Sequence, residues 1–260
     1  MKGARAITRP DGGAEVLACE VPVALVFDGT TQAVMMATPD DLEDFLIGFA
    51  LSEGLVHSPA EILRHEIVDQ PGGIEARAWL AVPARARFTE RRRATVGPVG
   101  CGLCGIDSLA QAMRPLPATR PLHLSASAGA QALSALRAAQ PLQDATRACH
   151  AAGFWTEVAG LVLLREDIGR HNALDKLAGA LARAGIAPGS GAVVMTSRLS
   201  VDLVQKAAMI GAGALIAPSA PTALAVEQAQ AVGLPLIARS PRENRLVCYT
   251  APAQTKDDAA

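Results

Sequence analysis

The chain has 260 residues, of which 50% are hydrophobic but only 3% are aromatic, and its formal net charge is -1 at pH 7. This composition favours buried strands and alanine-rich helices, and the charge gives no reason to expect nucleic acid or an acidic membrane as partner. Residues 1–9 lack an apolar signal segment, and no apolar run approaches the ~18 residues of a membrane span. Five cysteines without regular spacing indicate a reducing compartment, so we expect a cytoplasmic protein.

The N-terminal part is predicted to be rich in β-strands. Apolar stretches recur from Val21 onward, and Asp28-Gly29 is the tight-turn signal of a hairpin. Thr38 or Asp40 is expected to cap the helix that follows. The predicted elements, in chain order, are a loose lead-in at 1–14, strands at 21–27 and 31–37, a helix ended by Gly54, two or three strands within 60–93 with the clearest at 74–82, and a short helix at 106–113.

The C-terminal part alternates between short apolar strands and helices. Such alternation predicts βαβ units and a parallel or mixed sheet. Three prolines between Arg114 and Pro121 mark a linker before this part. We therefore expect an N-terminal β-rich subdomain at 1–115 that ends in a cysteine-containing loop, a linker and helix at 116–146, and an α/β ligand-binding domain at 147–260. The predicted elements are strands at 160–164, 192–196, 214–217, 234–238 and 246–249, with helices at 125–139, 172–184, 201–210 and 220–232.

Polar side chains follow four of the predicted strands, at the point where each strand ends. Ligands of such sheets bind at the carboxyl ends of the strands, in the loops that enter the helices. Arg170 and His171 at a helix start would suit an anion, although an ordinary loop capped by Asn172 is an equally good reading of that run alone. Together the loops at 165–172, 196–200, 218–222 and 239–245 predict a cleft for a phosphate-rich ligand.

Cys101 and Cys104 form a C-x-x-C pair with a glycine before, between and after the thiols. A structural zinc site needs four ligands, and the adjacent Cys149 and His150 are poor candidates to complete it. A zinc deaminase would show H-x-E and P-C-x-x-C motifs, and this sequence contains neither. A thioredoxin-like pair would follow an early strand, whereas this pair comes about a hundred residues into the chain. The remaining reading is nucleophilic sulfur chemistry, with a thiolate whose pKa is lowered by nearby arginines. Cys19 and Cys248 lie in apolar contexts and are expected to be small core residues.

The sequence resembles a known family, the formate dehydrogenase accessory sulfurtransferases (FdhD family), over nearly its full length. The long run at 165–177 (REDIGRHNALDKL) is highly specific, whereas the C-x-x-C pair alone would not be. The other matching segments are Thr38-Pro39, 46–49, 52–54, 101–105, 150–152, Ser197-Arg198, 203–206, 219–222, 225–227 and Tyr249-Thr250.

The resemblance implies a cytidine-deaminase-like mixed sheet flanked by helices, without catalytic zinc. It implies a cytoplasmic homodimer that takes sulfur from a cysteine desulfurase as a cysteine persulfide. The sulfur would then pass to the molybdenum or tungsten bis-pterin guanine dinucleotide cofactor (Mo-bis(molybdopterin guanine dinucleotide)) of formate dehydrogenase, which is bound as substrate and which GDP is expected to mimic. Two alternatives stay open, namely a cofactor-binding chaperone with redox-sensing thiols and a deaminase-fold enzyme.

The resemblance also assigns the site residues. Cys101 is the first choice for the persulfide carrier, with Cys104 assisting or relaying, and no metal ligands are expected. The segment 237–245 corresponds to the family's cofactor-contacting segment before the final Tyr-Thr pair. The expected cofactor-binding residues are Arg170, His171, Asn172, Ser197, Arg198, Ser219, Thr222, Ile237, Ala238, Arg239 and Arg245.

Overall fold

A computed structural model describes residues 2–93 and 114–250, with the side chains of 90–93 left out. Cys101, Cys104 and the predicted helix at 106–113 lie outside the described residues. The described chain forms a mixed α/β structure with three sheets, which confirms the predicted class at that level. Within 2–93 and 114–250, no helix combines the length and the apolar character needed to cross a membrane.

Over residues 2–93, the N-terminal part forms two sheets and two α-helices. Strands β1 and β2 pair antiparallel with each other, and the larger sheet has the strand order β4-β3-β6-β5. Within that sheet β3 and β6 run parallel, while β3–β4 and β5–β6 are antiparallel pairs. The elements are β1 (Ala4–Thr8), β2 (Ala14–Ala18), β3 (Val21–Phe27), β4 (Thr30–Ala37), α1 (Leu42–Ser52), β5 (Ile62–Gln70), β6 (Gly73–Leu80) and α2 (Val82–Arg93).

One prediction for this part is wrong. Residues 1–14 are not a loose lead-in, since they supply β1 and the start of β2, whose side chains are largely exposed and so leave no apolar alternation to detect. Two strands lie within 60–93, as predicted, and the segment after β6, for which no element was predicted, is a helix. Arg and Ala are good helix formers, Pro83 is tolerated in the first turn, and Phe88 is buried against the sheet core.

The C-terminal part is built on a six-stranded sheet with the order β12-β11-β10-β9-β7-β8. The central strands β9, β10 and β11 are parallel, whereas β7, β8 and β12 join the sheet antiparallel. The carboxyl ends of the three parallel strands therefore meet at one edge. The strands are β7 (His150–Thr156), β8 (Gly160–Asp167), β9 (Ala192–Met195), β10 (Ala214–Ala217), β11 (Leu236–Arg239) and β12 (Leu246–Cys248).

Helices cover both faces of this sheet because successive strand residues point to opposite sides. Val193 and Leu215 belong to the core beneath three helices, whereas Val194 and Ile216 pack with a fourth helix on the other face. The three helices are α5 (Arg170–Arg183), α6 (Val201–Met209) and α7 (Ala223–Val232); the fourth is α3 (Ala126–Ala138), followed by the short α4 (Pro141–Thr146).

The two parts are joined mainly by helices α1 and α5, which approach closely at two glycines. A Cβ on Gly48 would overlap the carbonyl oxygen of Asp175, and a Cβ on Gly179 would overlap that of Asp44. Only residues without side chains allow this backbone approach. The glycine contact packs α5 against α1, and Asn172 near the start of α5 contacts Met36 of β4.

Candidate functional site

A cavity of about 890 Å³ lies between α3 and the carboxyl edge of the six-stranded sheet. Thr196 follows β9, Pro218 follows β10 and Arg239 ends β11, and all three line the cavity. Small-molecule sites in proteins commonly occupy ~300–1,000 Å³, so the volume suits a nucleotide-sized ligand. The cavity lies at the edge where the strand-end loops predicted a cleft.

The wall of the cavity changes from apolar and buried to charged and exposed. Leu136 and Met195 are fully buried, whereas Arg137, Arg239 and Arg245 are exposed. The arginines therefore lie around the mouth, with apolar side chains behind them. The described residues that line the cavity are Ala126, Ser127, Ala130, Leu133, Ser134, Leu136, Arg137, Gln140, Gln143, Cys149, His150, Met195, Thr196, Pro218, Arg239, Arg245 and Leu246.

Arg239 has hydrogen-bond acceptors around it but no carboxylate among residues 2–93 and 114–250. Its guanidinium donates to the carbonyl oxygen of Pro218 at 3.2 Å and to that of Asn244 at 3.0 Å. Arg245, by contrast, forms an ion pair with Glu243. The positive charge of Arg239 is thus held in place without being neutralised, as an anion-binding residue requires.

His150 and Cys149 form the wall where β7 begins. His150 Nδ1 lies 3.3 Å from Thr196 Oγ1, and burial together with the charge of Arg170 lowers the pKa of this imidazole. Burial raises the pKa of the Cys149 thiol. At neutral pH both side chains are therefore uncharged and contribute no charge to the cavity.

Some of the expected cofactor-binding residues in the C-terminal loops line the cavity, and the others do not. Arg239 and Arg245 line the cavity. Beside the cavity, Ser197 Oγ donates to the carbonyl oxygen of Arg198 at 3.0 Å, and Thr222 Oγ1 caps α7 by accepting from Ala225 at 3.2 Å. Of the others, Arg198 is exposed, Ser219 is half-buried, and Ile237 and Ala238 are buried in β11.

The three expected residues at the start of α5, namely Arg170, His171 and Asn172, do not line the cavity. Asn172 donates to the carbonyl oxygen of Met36 at 2.8 Å and to Asp167 at 2.9 Å, so it ties α5 to the N-terminal sheet. His171 contacts the Asp202 carboxylate, and burial lowers its pKa to about 4. The charge of Arg170 lowers the pKa of both His150 and His171, which places it near each of them.

Much of the specific run at 165–177 joins the two parts of the molecule. Lys176 is fully buried; its Nζ lies 2.7 Å from Asp167 and donates to Thr38 Oγ1 at 2.6 Å. Asp167 in turn accepts from the Thr38 backbone at 3.0 Å. These residues form a closed group across the interface, so their polar atoms are occupied within the protein.

A second buried group involves helix α6. Lys206 Nζ contacts Asp175 at 3.0 Å and Glu53 at 2.7 Å, and it also donates to Ser52 at 3.0 Å. Asp175 accepts a hydrogen bond from Ser52 as well. Arg165 completes the interface through the buried carboxylate of Asp44, at 2.7 Å. Within the polar run at 165–172, Arg165, Asp167 and Asn172 thus hold the two parts together, and the expectation that this run also positions phosphate or substrate stays a prediction.

The two thiols assigned to sulfur chemistry, Cys101 and Cys104, lie outside the described residues. The described chain resumes at Arg114, which donates to the carbonyl oxygens of Glu53 at 2.9 Å and Ser52 at 3.0 Å at the end of α1. Cys19 is half-buried, and Cys248 is exposed, so the expectation that Cys248 is a core residue is wrong. Among residues 2–93 and 114–250, no three His, Cys, Asp or Glu residues cluster as a metal site would require.

Comparison with known proteins decides the family. A family model described as the FdhD/NarQ family matches residues 18–256. The chain belongs to this family. The sulfur carrier protein FdhD of Agrobacterium fabrum is 47% identical over 231 residues, covering 88% of this chain and 85% of that protein. The protein of the same name from Cupriavidus necator is 48% identical over 256 residues, covering 96% and 86%.

A solved structure shows the same overall fold. The crystal structure of a candidate formate dehydrogenase accessory protein from Desulfotalea psychrophila is similar, with a TM-score of 0.67 and 27% sequence identity. The similarity covers 96% of each chain, so it includes both the N-terminal sheets and the six-stranded sheet.

Sequence reasoning missed the part of the cavity that α3 contributes. Ser134, Arg137 and Gln140 come from an Ala/Ser/Leu-rich segment that carries no recognisable ligand motif. Thr196 and Pro218 could have been found, because each is the first residue after a parallel strand. The expectation had instead favoured their neighbours Ser197 and Ser219.

Proposed function

We propose that the protein is a sulfur carrier that delivers sulfur to a guanine dinucleotide form of the molybdenum or tungsten pterin cofactor, which formate dehydrogenase requires. The proposal rests on one observation. A chain of the FdhD/NarQ family has a cavity at the carboxyl edge of its sheet, with exposed arginines at the mouth of the cavity. The names of the curated relatives, which are sulfur carrier proteins, support the transfer of sulfur.

The cofactor is bound as substrate, and the cavity fits its nucleotide portion. Arginine guanidinium groups pair well with phosphate oxygens, and Arg239 and Arg245 stand at the mouth of the cavity. The apolar side chains of Leu133, Leu136 and Met195 offer surfaces for a base or a pterin ring. GDP is the simplest probe of this fit.

The sulfur step uses the C-x-x-C pair. The Cys101 thiolate attacks the outer sulfur of a cysteine desulfurase persulfide; a new S–S bond forms on Cys101, and the desulfurase cysteine leaves as a thiolate. Attack of the Cys104 thiolate on Cys101 then forms their disulfide and releases the outer sulfur as sulfide to the metal of the cofactor. A thiol reductant returns the pair to its dithiol form.

The remaining features of the proposal follow the family. The protein would act as a cytoplasmic homodimer, with a cytidine-deaminase-like C-terminal sheet at 147–260, an N-terminal β-rich subdomain at 1–115 and a linker and helix at 116–146. It would hold no resident zinc. Its macromolecular partners would be a cysteine desulfurase and formate dehydrogenase, with no nucleic acid or membrane involved.

The sulfur step is tested by loading the purified protein with a cysteine desulfurase and cysteine, followed by intact-mass measurement. We expect added sulfur that disappears on reduction and is absent from Cys101→Ala. Cys248→Ala is the matched control, because Cys248 is an exposed thiol elsewhere on the surface. A Cys101→Ala variant that still takes up sulfur and still activates formate dehydrogenase would contradict the proposal. Full activation by Cys101→Ala/Cys104→Ala would instead indicate a cofactor-binding chaperone.

A further inference from the structure

Gln140 is a buried polar residue in the wall of the cavity, at the junction of α3 and α4. Its side chain is 2% exposed, and it lines the cavity together with Leu136 and Cys149. Within residues 2–93 and 114–250, its Oε1 atom accepts no hydrogen bond. A buried acceptor left without a donor is rare in folded proteins and calls for an explanation.

A neighbouring glutamine shows that the fold could have supplied a donor. Gln143 also lines the cavity, and its Oε1 accepts the backbone N–H of Cys149 at 2.8 Å. Gln143 therefore has a structural role at this wall. Gln140 has the same functional group three residues earlier in the sequence, yet among the described residues its oxygen has no comparable donor. Because leaving an amide oxygen unpaired destabilises the protein, a ligand that brings an N–H group would offset that cost.

The position of Gln140 decides which part of a ligand it can contact. Gln140 is buried, whereas Arg137, Arg239 and Arg245 are exposed at the mouth. A nucleotide with its phosphates beside the arginines has its base toward the buried wall. The unpaired oxygen is thus placed to contact a base and not a phosphate, since a phosphate oxygen has no proton to donate.

We infer that Gln140 is a specificity-determining residue that selects guanine by accepting a hydrogen bond from its N1–H or 2-amino group. In the same orientation adenine presents an acceptor at N1 and a C–H at C2 to the Gln140 oxygen, and its 6-amino group lies where guanine has its carbonyl oxygen, so adenine would leave the Gln140 oxygen unpaired. A site that loses a buried hydrogen bond in this way discriminates strongly between otherwise similar ligands. This inference rests on the proposed function, because it assumes that the cavity takes the nucleotide portion of the cofactor.

The test measures the binding of GDP, IDP and ADP to the full chain by titration calorimetry. For the unaltered protein we expect GDP to bind at least about tenfold more tightly than ADP, given the usual cost of an unpaired buried group. Gln140→Met keeps the length of the side chain and removes the acceptor. It should weaken GDP binding roughly tenfold and leave ADP binding unchanged. IDP, which lacks the 2-amino group, shows which of the two donors Gln140 contacts.

Two further variants separate recognition from folding. Gln131→Met is the matched control, because Gln131 is exposed on α3 and does not line the cavity. Gln140→Glu retains an acceptor and should keep the preference for GDP over ADP. Without nucleotide, Gln140→Met should melt no lower than the unaltered protein, since it replaces an unpaired buried amide with an apolar group.

Three results would overturn the inference. The first is a Gln140→Met protein that prefers GDP as strongly as the unaltered chain does. The second is a lower melting temperature with equal weakening of GDP and ADP, which indicates a structural role. In both of these cases the proposed nucleotide binding stands. The third is an unaltered protein that binds none of the three nucleotides, which removes the nucleotide part of the proposed function as well.

Discussion

The interface between the two parts of the molecule and the cavity beneath α3 are both rich in polar side chains, but they differ in how these are paired. At the interface, Lys176 meets Asp167 and Lys206 meets Asp175, each lysine within 3.0 Å of a carboxylate oxygen. In the cavity, Arg239 has no carboxylate partner and the Gln140 oxygen has no donor, within the part of the chain that the structure describes.

This difference in pairing distinguishes polar residues that stabilise the fold from polar residues that are available to bind a ligand. A dense polar run at a helix start attracts attention in the sequence, yet a fully paired run stabilises the protein and leaves little for a ligand to contact. Unpaired charge and unpaired hydrogen-bonding groups beside a cavity are the stronger indication of binding. Four changes should therefore affect the interface and the cavity in different ways.

Removing the cation from the buried interface should have the largest effect. Lys176→Met leaves the Asp167 carboxylate buried without its positive partner, and breaking such a pair costs about 3–5 kcal/mol. We expect this loss in the free energy of unfolding measured with urea. Arg147→Ala removes an exposed pair with Asp144 and should cost less than about 1 kcal/mol. Equal losses for the two variants would contradict the comparison.

Acid should lower the free energy of unfolding through protonation of His171, whose pKa is lowered to about 4 by burial. The unfolded chain binds a proton at this residue near pH 6.5, whereas the folded protein does so only near pH 4. Stability contributed by the neutral imidazole is therefore present above pH 6.5 and is lost as the pH falls toward 4, by up to about 3 kcal/mol.

Urea titrations from pH 7 to about pH 4 check this dependence. His171→Gln should flatten the decrease, because the substituted side chain has no proton to gain. His123→Gln is the control, since His123 is exposed in the linker before α3. A slope unchanged by His171→Gln would show that other groups carry the acid sensitivity.

Separating α1 from α5 should have an intermediate effect. Gly48→Ala places a Cβ against the Asp175 carbonyl oxygen, and overpacking of this kind costs about 1–3 kcal/mol. We expect a lower melting temperature. Gly189→Ala, where the added Cβ would lie 3.3 Å from the nearest backbone oxygen, should cost less. If Gly48→Ala has the same melting temperature as the unaltered protein, the close approach of the helices is not required for their packing.

Arg239→Gln should affect binding and not folding, because the residue is exposed and, within the part of the chain that the structure describes, forms no ion pair. Loss of one charge-assisted hydrogen bond to phosphate should weaken GDP binding about tenfold, with a smaller dependence on salt concentration. Arg242→Gln, a change in the same loop outside the cavity lining, should bind GDP as the unaltered protein does. Equal binding by the two variants would remove Arg239 from the site.

The local pattern of the sequence was sufficient for most strands and helices of the C-terminal part, but not for β7 (His150–Thr156) or the short α4 (Pro141–Thr146), which it did not predict. Short apolar strands such as β9 and β10, each followed by a capped or polar helix start, are encoded within a few residues. Their parallel arrangement places the strand ends at one edge, and the cavity is there. The thiol pair and the run at 165–177 were sufficient to indicate the family, which the family model confirms.

Which polar residues are free to bind a ligand depends on the tertiary structure. Thr38 and Asp167 are 129 residues apart in the chain, and Ser52 and Lys206 are 154 apart, so no local pattern reveals that they are partners. The contribution of α3 to the cavity is equally invisible, because Gln140 lies in an ordinary alanine-rich context. Pairing depends on contacts between distant segments, and only the folded chain brings those segments together.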